Sequence, residues 1–234
     1  MFRTTYFFQS LAIIFALLIT SGIAQQNRST GDRVIEVDNF HSIQIQGVGY
    51  VKLLQGNKPE VRLSDHEGPS PEVQVRNGVL RINSKSGKKA TEHNVTIVCT
   101  NLKLLSTQGA IHIETGETLD LDRLKLHFQG ATTADLQLKV GTLTGDITGA
   151  TTLNMSGKAQ EMSFEVSGAS NIEAADLMIQ SAELRVSGMG SVAVHAQKEL
   201  DVDISGMAHV VYGGNPSISK HISGMASLES IGNR

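Results

Sequence analysis

The sequence predicts an all-β protein, a right-handed parallel β-helix (a β-solenoid) with coils of about 18–21 residues. Three observations carry that expectation. A short glycine-centred phrase recurs at Gly109, Gly130, Gly149, Gly168, Gly188, Gly206 and Gly224, with spacings of 21, 19, 19, 20, 18 and 18 residues. Around each glycine apolar and polar residues alternate with a period of two, the pattern of a strand with one buried face. Helical periodicity is nowhere strong. The handedness follows from the rule that parallel crossovers are right-handed in about 98% of cases.

The first 24 residues read as a secretory signal peptide. Arg3 supplies the positive start, residues 11–19 form an unbroken apolar run, and Gly22 and Ala24 offer small residues for cleavage before Gln25. Nine apolar residues fall far short of the roughly 20 that span a bilayer as a helix. Residues 25–33 read as a flexible lead-in, and residues 34–232 as a single β-solenoid domain.

That domain opens with a first, isolated copy of the phrase, with Ile43, Ile45 and Val51 inward and Gly47 at its centre. The stretch from Gly47 to Gly109 corresponds to about three coil lengths. It holds alternating runs at 60–63, 72–75, 79–82 and 94–98, interrupted by polar loops at 65–71 and 84–93.

In the seven later repeats, the residues four and two before the glycine are mostly apolar, as in Leu126/Phe128, Phe164/Val166 and Val202/Ile204. These point inward. Lys220/Ile222 hold the same two places in the last repeat. Three before the glycine stand Ser106, His127, Asp146, Glu165, Arg185, Asp203 and His221, all polar, which assigns that position to solvent. The glycine suits a corner because it carries no Cβ. Ala110, Ala131, Ala150, Ala169, Met189, Met207 and Met225 follow it, and Ile113 through Leu228 mark a second inward position four residues on. Coils stacked in register place equivalent residues about 4.8 Å apart, so like side chains form ladders.

The phrase F-x-x-I-x-I-x-G-x-G-x-V (Phe40, Ile43, Ile45, Gly47, Gly49, Val51), the run Leu80-Arg81-Ile82 and the serial S-G-[AM] repeats resemble the putative auto-transporter adhesin, head GIN domain family of bacterial secreted proteins. The resemblance spans about residues 34–232. It implies a right-handed parallel β-helix exported to the cell envelope, and it brings no catalytic or binding residues with it. The printed chain has no membrane β-barrel after the repeats, so self-anchoring in an outer membrane is not expected.

Composition narrows the function. Without Arg3 the chain has 19 basic against 23 acidic residues, a net charge of −4, which excludes the basic stripe of a nucleic-acid binder. The single cysteine, Cys99, forms no internal disulfide and reads as a buried small apolar residue. Tryptophan is absent, and Phe40, Tyr50, Phe128, Phe164 and Tyr212 are the only aromatics after residue 24.

Candidate chemistry is sparse. Asp146 and Glu165 fall in adjacent coils, roughly 5 Å apart, near the carboxyl separation of retaining glycosidases. With Arg185 and Asp203 they define the alternative function, a polysaccharide-active β-helix hydrolase or lyase. The simpler reading is a charge-paired surface row, with Arg185 between Glu165 and Asp203 and no long loop to wall a cleft. Asp120 and Asp122 share one strand face, and no histidine pairs with a ligand at metal-binding spacing. Neither metal nor cofactor is expected. Thr132-Thr133 and Thr151-Thr152 begin an ice-binding-like array that two coils cannot complete. The methionine ladder reads as corner packing, with an exposed adhesive stripe as its alternative.

The leading expectation is therefore a non-enzymatic, exported binding, adhesion or structural module of the bacterial cell envelope. Its site is the periplasm, the outer-membrane surface or the extracellular space. Its partner is a protein or polysaccharide at the cell surface, with no nucleic acid and no transmembrane segment after signal cleavage. The edge of the last coil offers a route to self-association.

Overall fold

The structure, a computed structural model, describes residues 33–64, 70–84 and 93–232. The signal segment 1–24, most of the lead-in and most of both polar loops lie outside the described residues; Arg33 already belongs to the first strand.

Every described element is a β-strand, so the all-β class holds. The strands are β1 (Arg33–Glu36), β2 (Ser42–Gln55), β3 (Glu60–Leu63), β4 (Glu72–Arg76), β5 (Val79–Asn83), β6 (His93–Cys99), β7 (Leu104–Thr115), β8 (Leu119–Gly213), β9 (Ser217–Gly224) and β10 (Ser227–Ser230). They form one ten-stranded mixed sheet with the path β1-β3-β6-β2-β7-β8-β10. β8 is a run of 95 residues that passes through five of the repeat glycines.

The glycines set the register. Gly47 pairs with Gly109, Gly109 with Gly130, and Gly206 with Gly224, all in parallel. A Cβ placed on Gly149 would lie 2.5 Å from the carbonyl oxygen of Gly130, and one on Gly168 would lie 2.5 Å from that of Gly149. Gly149 also has φ +110°, a region closed to L side chains. Two independent constraints, backbone angle and carbonyl contact, thus exclude any other residue there.

On both sides of this column the alternation works as expected. Leu126, Phe128, Ile147, Phe164, Val166, Leu184, Val186, Val202 and Ile204 are buried, as are Ile113, Leu153, Ile172, Val192 and Val210. Gly145 sits among the inward residues because its neighbour Phe164 fills the space: a Cβ on Gly145 would come within 2.8 Å of the Phe164 ring. Thr132, Thr151 and Ser170 also face inward and are buried, which removes them from any surface array. Thr132 Oγ1 bonds Thr107 Oγ1 at 2.9 Å, whereas Thr151 Oγ1 and Ser170 Oγ have no hydrogen-bond partner among the described residues.

The N-terminal third corrects the sequence reading. Gly47 pairs directly with Gly109, so the stretch between them is not three stacked coils. It is an insertion with antiparallel strands. Arg76-Asn77-Gly78-Val79 closes a β4–β5 hairpin, with φ +52° at Asn77 and +73° at Gly78. Positive φ at both central residues is the requirement of a type I′ turn, for which Asn-Gly is the preferred pair. β3 runs antiparallel to β6, and β1 antiparallel to β3. β5 and β6 then pair in parallel with the two halves of β2. The expected purely parallel arrangement is therefore replaced at this end by a mixed one.

At the opposite end, β9 is exposed along its whole length. Lys220 pairs in register with buried Val202 and so carries a charge into the inward column. An inward-pointing charge is a known guard against edge-to-edge pairing.

Gly149→Ala should destabilise the fold by about 3 kcal/mol, from backbone strain and carbonyl overlap. Gly232→Ala, at φ +73° with nothing within 4 Å, should cost only about 1 kcal/mol. Urea unfolding midpoints of the two variants test the difference, and equal midpoints would remove the glycine column from its structural role.

Candidate functional site

The polar position three before each glycine forms one solvent-facing row. At its N-terminal end Arg81 Nε donates to Gln44 Oε1 at 3.1 Å, and Gln44, Ser106 and His127 follow in register. His127 Nδ1 then lies 2.9 Å from Asp146 Oδ2. Asp146 is half-buried beside that imidazole, while Glu165, Arg185 and Asp203 are exposed. Arg185 pairs with Glu183 on its own strand, not with Glu165 or Asp203 as expected. Among the described residues Glu165 and Asp203 make no ion pair. The row orders its charges but does not gather the four candidate residues around one point.

A separate concavity lies elsewhere. A shallow groove of about 1000 Å³ runs across successive repeats, and Asp120, Asp122, Lys139, Lys158, Gln180 and Gln197 contribute to its walls. Lys139 Nζ donates to Asp120 Oδ2 at 2.7 Å. Acids, lysines and amides alternate along it with no charge in excess, which makes it a neutral, solvated surface. No group of three or more His, Cys, Asp or Glu among the described residues is arranged to hold a metal ion.

The corner itself presents a different surface. Ala110, Ala131, Ala150 and Ala169 are exposed, and Met189, Met207 and Met225 are 55%, 50% and 77% exposed. The methionines are therefore an outward stripe, which corrects the corner-packing expectation: the glycine backbone turns the next side chain away from the core. From one residue before each glycine to three after it, the repeats read QGVGY, QGAIH, QGATT, TGATT, SGASN, SGMGS, SGMAH and SGMAS. This band contains no Asp, Glu, Lys or Arg, although 18% of the whole chain is charged.

At the N-terminal end of the band, Tyr50 stacks on His112 with ring centroids 4.6 Å apart and planes 11° from parallel. The pair meets because β2 and β7 align Tyr50 with His112. The Tyr50 hydroxyl donates to the Glu114 carboxylate, which holds the phenol proton. That bond is the main cause, aided by burial and by the charges of Glu114 and Asp135, of a Tyr50 pKa pushed up to about 12. The same bond, with Lys52 Nζ 3.2 Å from Glu114 Oε1, keeps the Glu114 carboxyl below its ordinary value against a smaller opposing effect of burial. His112 Nε2 lies 3.9 Å from Asp135 Oδ2, and Asn154 Nδ2 donates to Asp135 Oδ1 at 2.6 Å. Cys99, by contrast, is fully buried, and burial pushes its thiol up to about 11, leaving it inert at neutral pH.

Residues 39–216 match the family described as putative auto-transporter adhesin, head GIN domain. The chain belongs to that family. Its fold is shared with a crystal structure of a putative adhesin from Bacteroides fragilis, at TM-score 0.71 and 24% identity over 87% of this chain and 94% of that one. A putative lipid binding protein from Parabacteroides distasonis is similar at TM-score 0.63 and 20% identity, covering 86% of this chain and 96% of that one. A putative adhesin from Parabacteroides merdae matches at TM-score 0.57 and 19% identity, covering 86% and 95%. No curated protein matches the chain. Among the described residues of this head GIN chain, no helix is long and apolar enough to cross a membrane.

Sequence reasoning did not see the groove or the Tyr50 cluster, and it read the band one position at a time. The absence of charge in the band is visible in the aligned phrases. The Tyr50–His112 pair is not, because its partners lie far apart in the chain and meet only through the β2–β7 register.

A raised phenol pKa means that the folded state holds a proton the unfolded chain releases near pH 10. The stabilising contribution is thus complete below about pH 10 and lost as pH rises toward about 12. In the chain lacking residues 1–24, absorbance at 295 nm should show one of two tyrosines ionising only near pH 12, and Tyr50→Phe should abolish that late step. Ionisation of both tyrosines by pH 10.5 would refute the Glu114 bond.

Proposed function

We propose that the protein is an exported, non-enzymatic adhesion or binding module of the bacterial cell envelope. We read its repeats as the coils of a right-handed parallel β-helix, capped at the N-terminal end by the antiparallel insertion. In-register parallel pairing and the glycine column support that architecture. Family membership and the signal-like first 24 residues support export to the cell surface, the periplasm or the medium.

The observation that carries the function is the charge-free band. Burying a charge against a partner is expensive, whereas alanine, methionine, serine, threonine and glutamine are cheap to desolvate or easy to re-pair. Methionine also adapts its shape to varied surfaces. An exposed, uncharged ridge that crosses every repeat is therefore a contact surface for a macromolecule, either a protein or a polysaccharide. The alternative, glycan cleavage by Asp146 and Glu165 with Arg185 and Asp203, lacks a matching observation. Asp146 is engaged by His127, and Arg185 by Glu183.

Two variants separate these readings. Ala150→Glu combined with Met207→Glu should weaken retention on immobilised mucin, collagen or a polysaccharide panel by about tenfold or more, with an unchanged melting temperature. Asp146→Ala combined with Glu165→Ala should leave retention intact. Unaltered retention in the first variant would overturn the band as the contact surface. Release of reducing sugar by the natural chain, lost in the second variant, would establish the enzyme reading instead.

A further inference from the structure

We infer that Tyr50 is the platform of a saccharide subsite on the outer face of β2 and β6, recognising one uncharged pyranose unit. This deepens the binding-module reading and rests on it. Of the five aromatic residues described, Phe40, Phe128 and Phe164 are buried and Tyr212 packs against the core. Tyr50 alone stands apart from the core, on the solvent side of its strand. The ring is half-buried, and His112 covers one of its faces at a centroid distance of 4.6 Å with the planes 11° from parallel. A ring stacked in place before binding loses little further entropy when a ligand arrives.

Among the described residues, the other face borders a depression on the β6 side. His112 lies on β7, which flanks β2 on one side, so the opposite ring face turns toward β6 on the other. There Tyr50 is in register with Asn94 and Lys52 with Thr96. Asn94 and Thr96 are shorter than the tyrosine, and the step between them is a depression of about 420 Å³ lined by Tyr50, Lys52, Asn94, Val95 and Thr96. That volume is near the low end for small-ligand sites, which run from about 300 to 1,000 Å³.

The chemistry of the lining selects the ligand. An apolar ring face next to an amide, a hydroxyl and an ammonium matches a pyranose, whose C–H face packs on the aromatic surface while its hydroxyls bond the polar groups. Asn94 and Thr96 both donate and accept; Lys52 donates only. Lys52 is already neutralised by Glu114 at 3.2 Å, so the site has no net charge for a uronic acid or a phosphate. An extended peptide is disfavoured too, because β6 is paired on both edges, by β2 and β3, and offers no free backbone row.

The test uses the chain without residues 1–24 and NMR titration with gluco-, manno-, xylo- and chito-oligosaccharides, read by saturation transfer to the sugar protons. At least one series should bind, with Tyr50→Ala and Asn94→Ala each weakening it about tenfold and Tyr50→Phe retaining most of it. Asn94 is exposed, so its variant keeps the fold even if Tyr50→Ala does not. Binding that survives both alanine variants would overturn the subsite while leaving the protein a saccharide binder elsewhere. Absence of binding by every series up to about 10 mM would overturn the subsite alone, since the charge-free band is tested separately on mucin and collagen.

Discussion

The rest of the structure hangs on the contact of one glycine with the carbonyl of the glycine before it. At Gly149, Gly168 and Gly206 the place a Cβ would occupy is 2.5 Å from that oxygen, and φ is positive at each. Register follows from this, because the column admits glycine and nothing else, and a slip of one residue would put a side chain into it. Burial follows from register: a one-residue shift would turn Phe128, Phe164 and Ile204 to solvent. The outward stripe follows as well, because the same corner aims Ala110 and Met207 away from the core. One steric constraint thus fixes the inner lining and the outer face together.

The two ends of the molecule solve the open-edge problem differently. At the N-terminal end, antiparallel strands cover the parallel rungs, with β3 laid over β6 and β4 over β5. At the other end, β9 is left exposed, and Lys220 stands where the inward column would continue. At one end antiparallel strands cover the parallel rungs and β1 and β4 become the edge strands, whereas at the other the edge is guarded by the cost of desolvating an ammonium. The two ends therefore differ, with the Tyr50 cluster near the covered end and the methionines toward the guarded one.

The repeats were legible because their glycines carry the constraint in plain sight. Inward Leu126 and Val202, outward Asp146 and Asp203, and buried Cys99 all follow from counting away from a glycine or from an apolar run. The insertion was misread for a physical reason. Its strands alternate like the repeats, and its length happens to match that of several repeats, so period alone cannot separate them. The signal that separates them was present in Asn77-Gly78, whose preference for two positive φ angles demands a hairpin. The groove was harder to see. Repeat lengths vary between 18 and 21 residues, so the phase of the alternation drifts by the time the chain reaches Lys139 or Gln180. Side-chain contacts between distant residues, such as Tyr50 on His112, become visible only once Gly47 is known to pair with Gly109.

That pairing has a consequence for how such a chain can diversify. The insertion leaves at the end of β2, where Gly56 N donates to Cys99 O at 3.0 Å, and rejoins the frame beside the start of β2, where Lys103 N donates to His41 O at 2.7 Å. Because both ends are held by the frame, a longer or shorter connection between its strands costs little extra closure entropy, roughly 0.6 kcal/mol for each doubling of length. The insertion is nonetheless part of the core: Ile43, Ile45 and Val51 lie between Leu105, Thr107 and Ile113 on one side and Leu80, Ile82 and Val95 on the other. A change of length at this point is therefore confined to the connections between its strands, while β5 and β6 keep their places against β2.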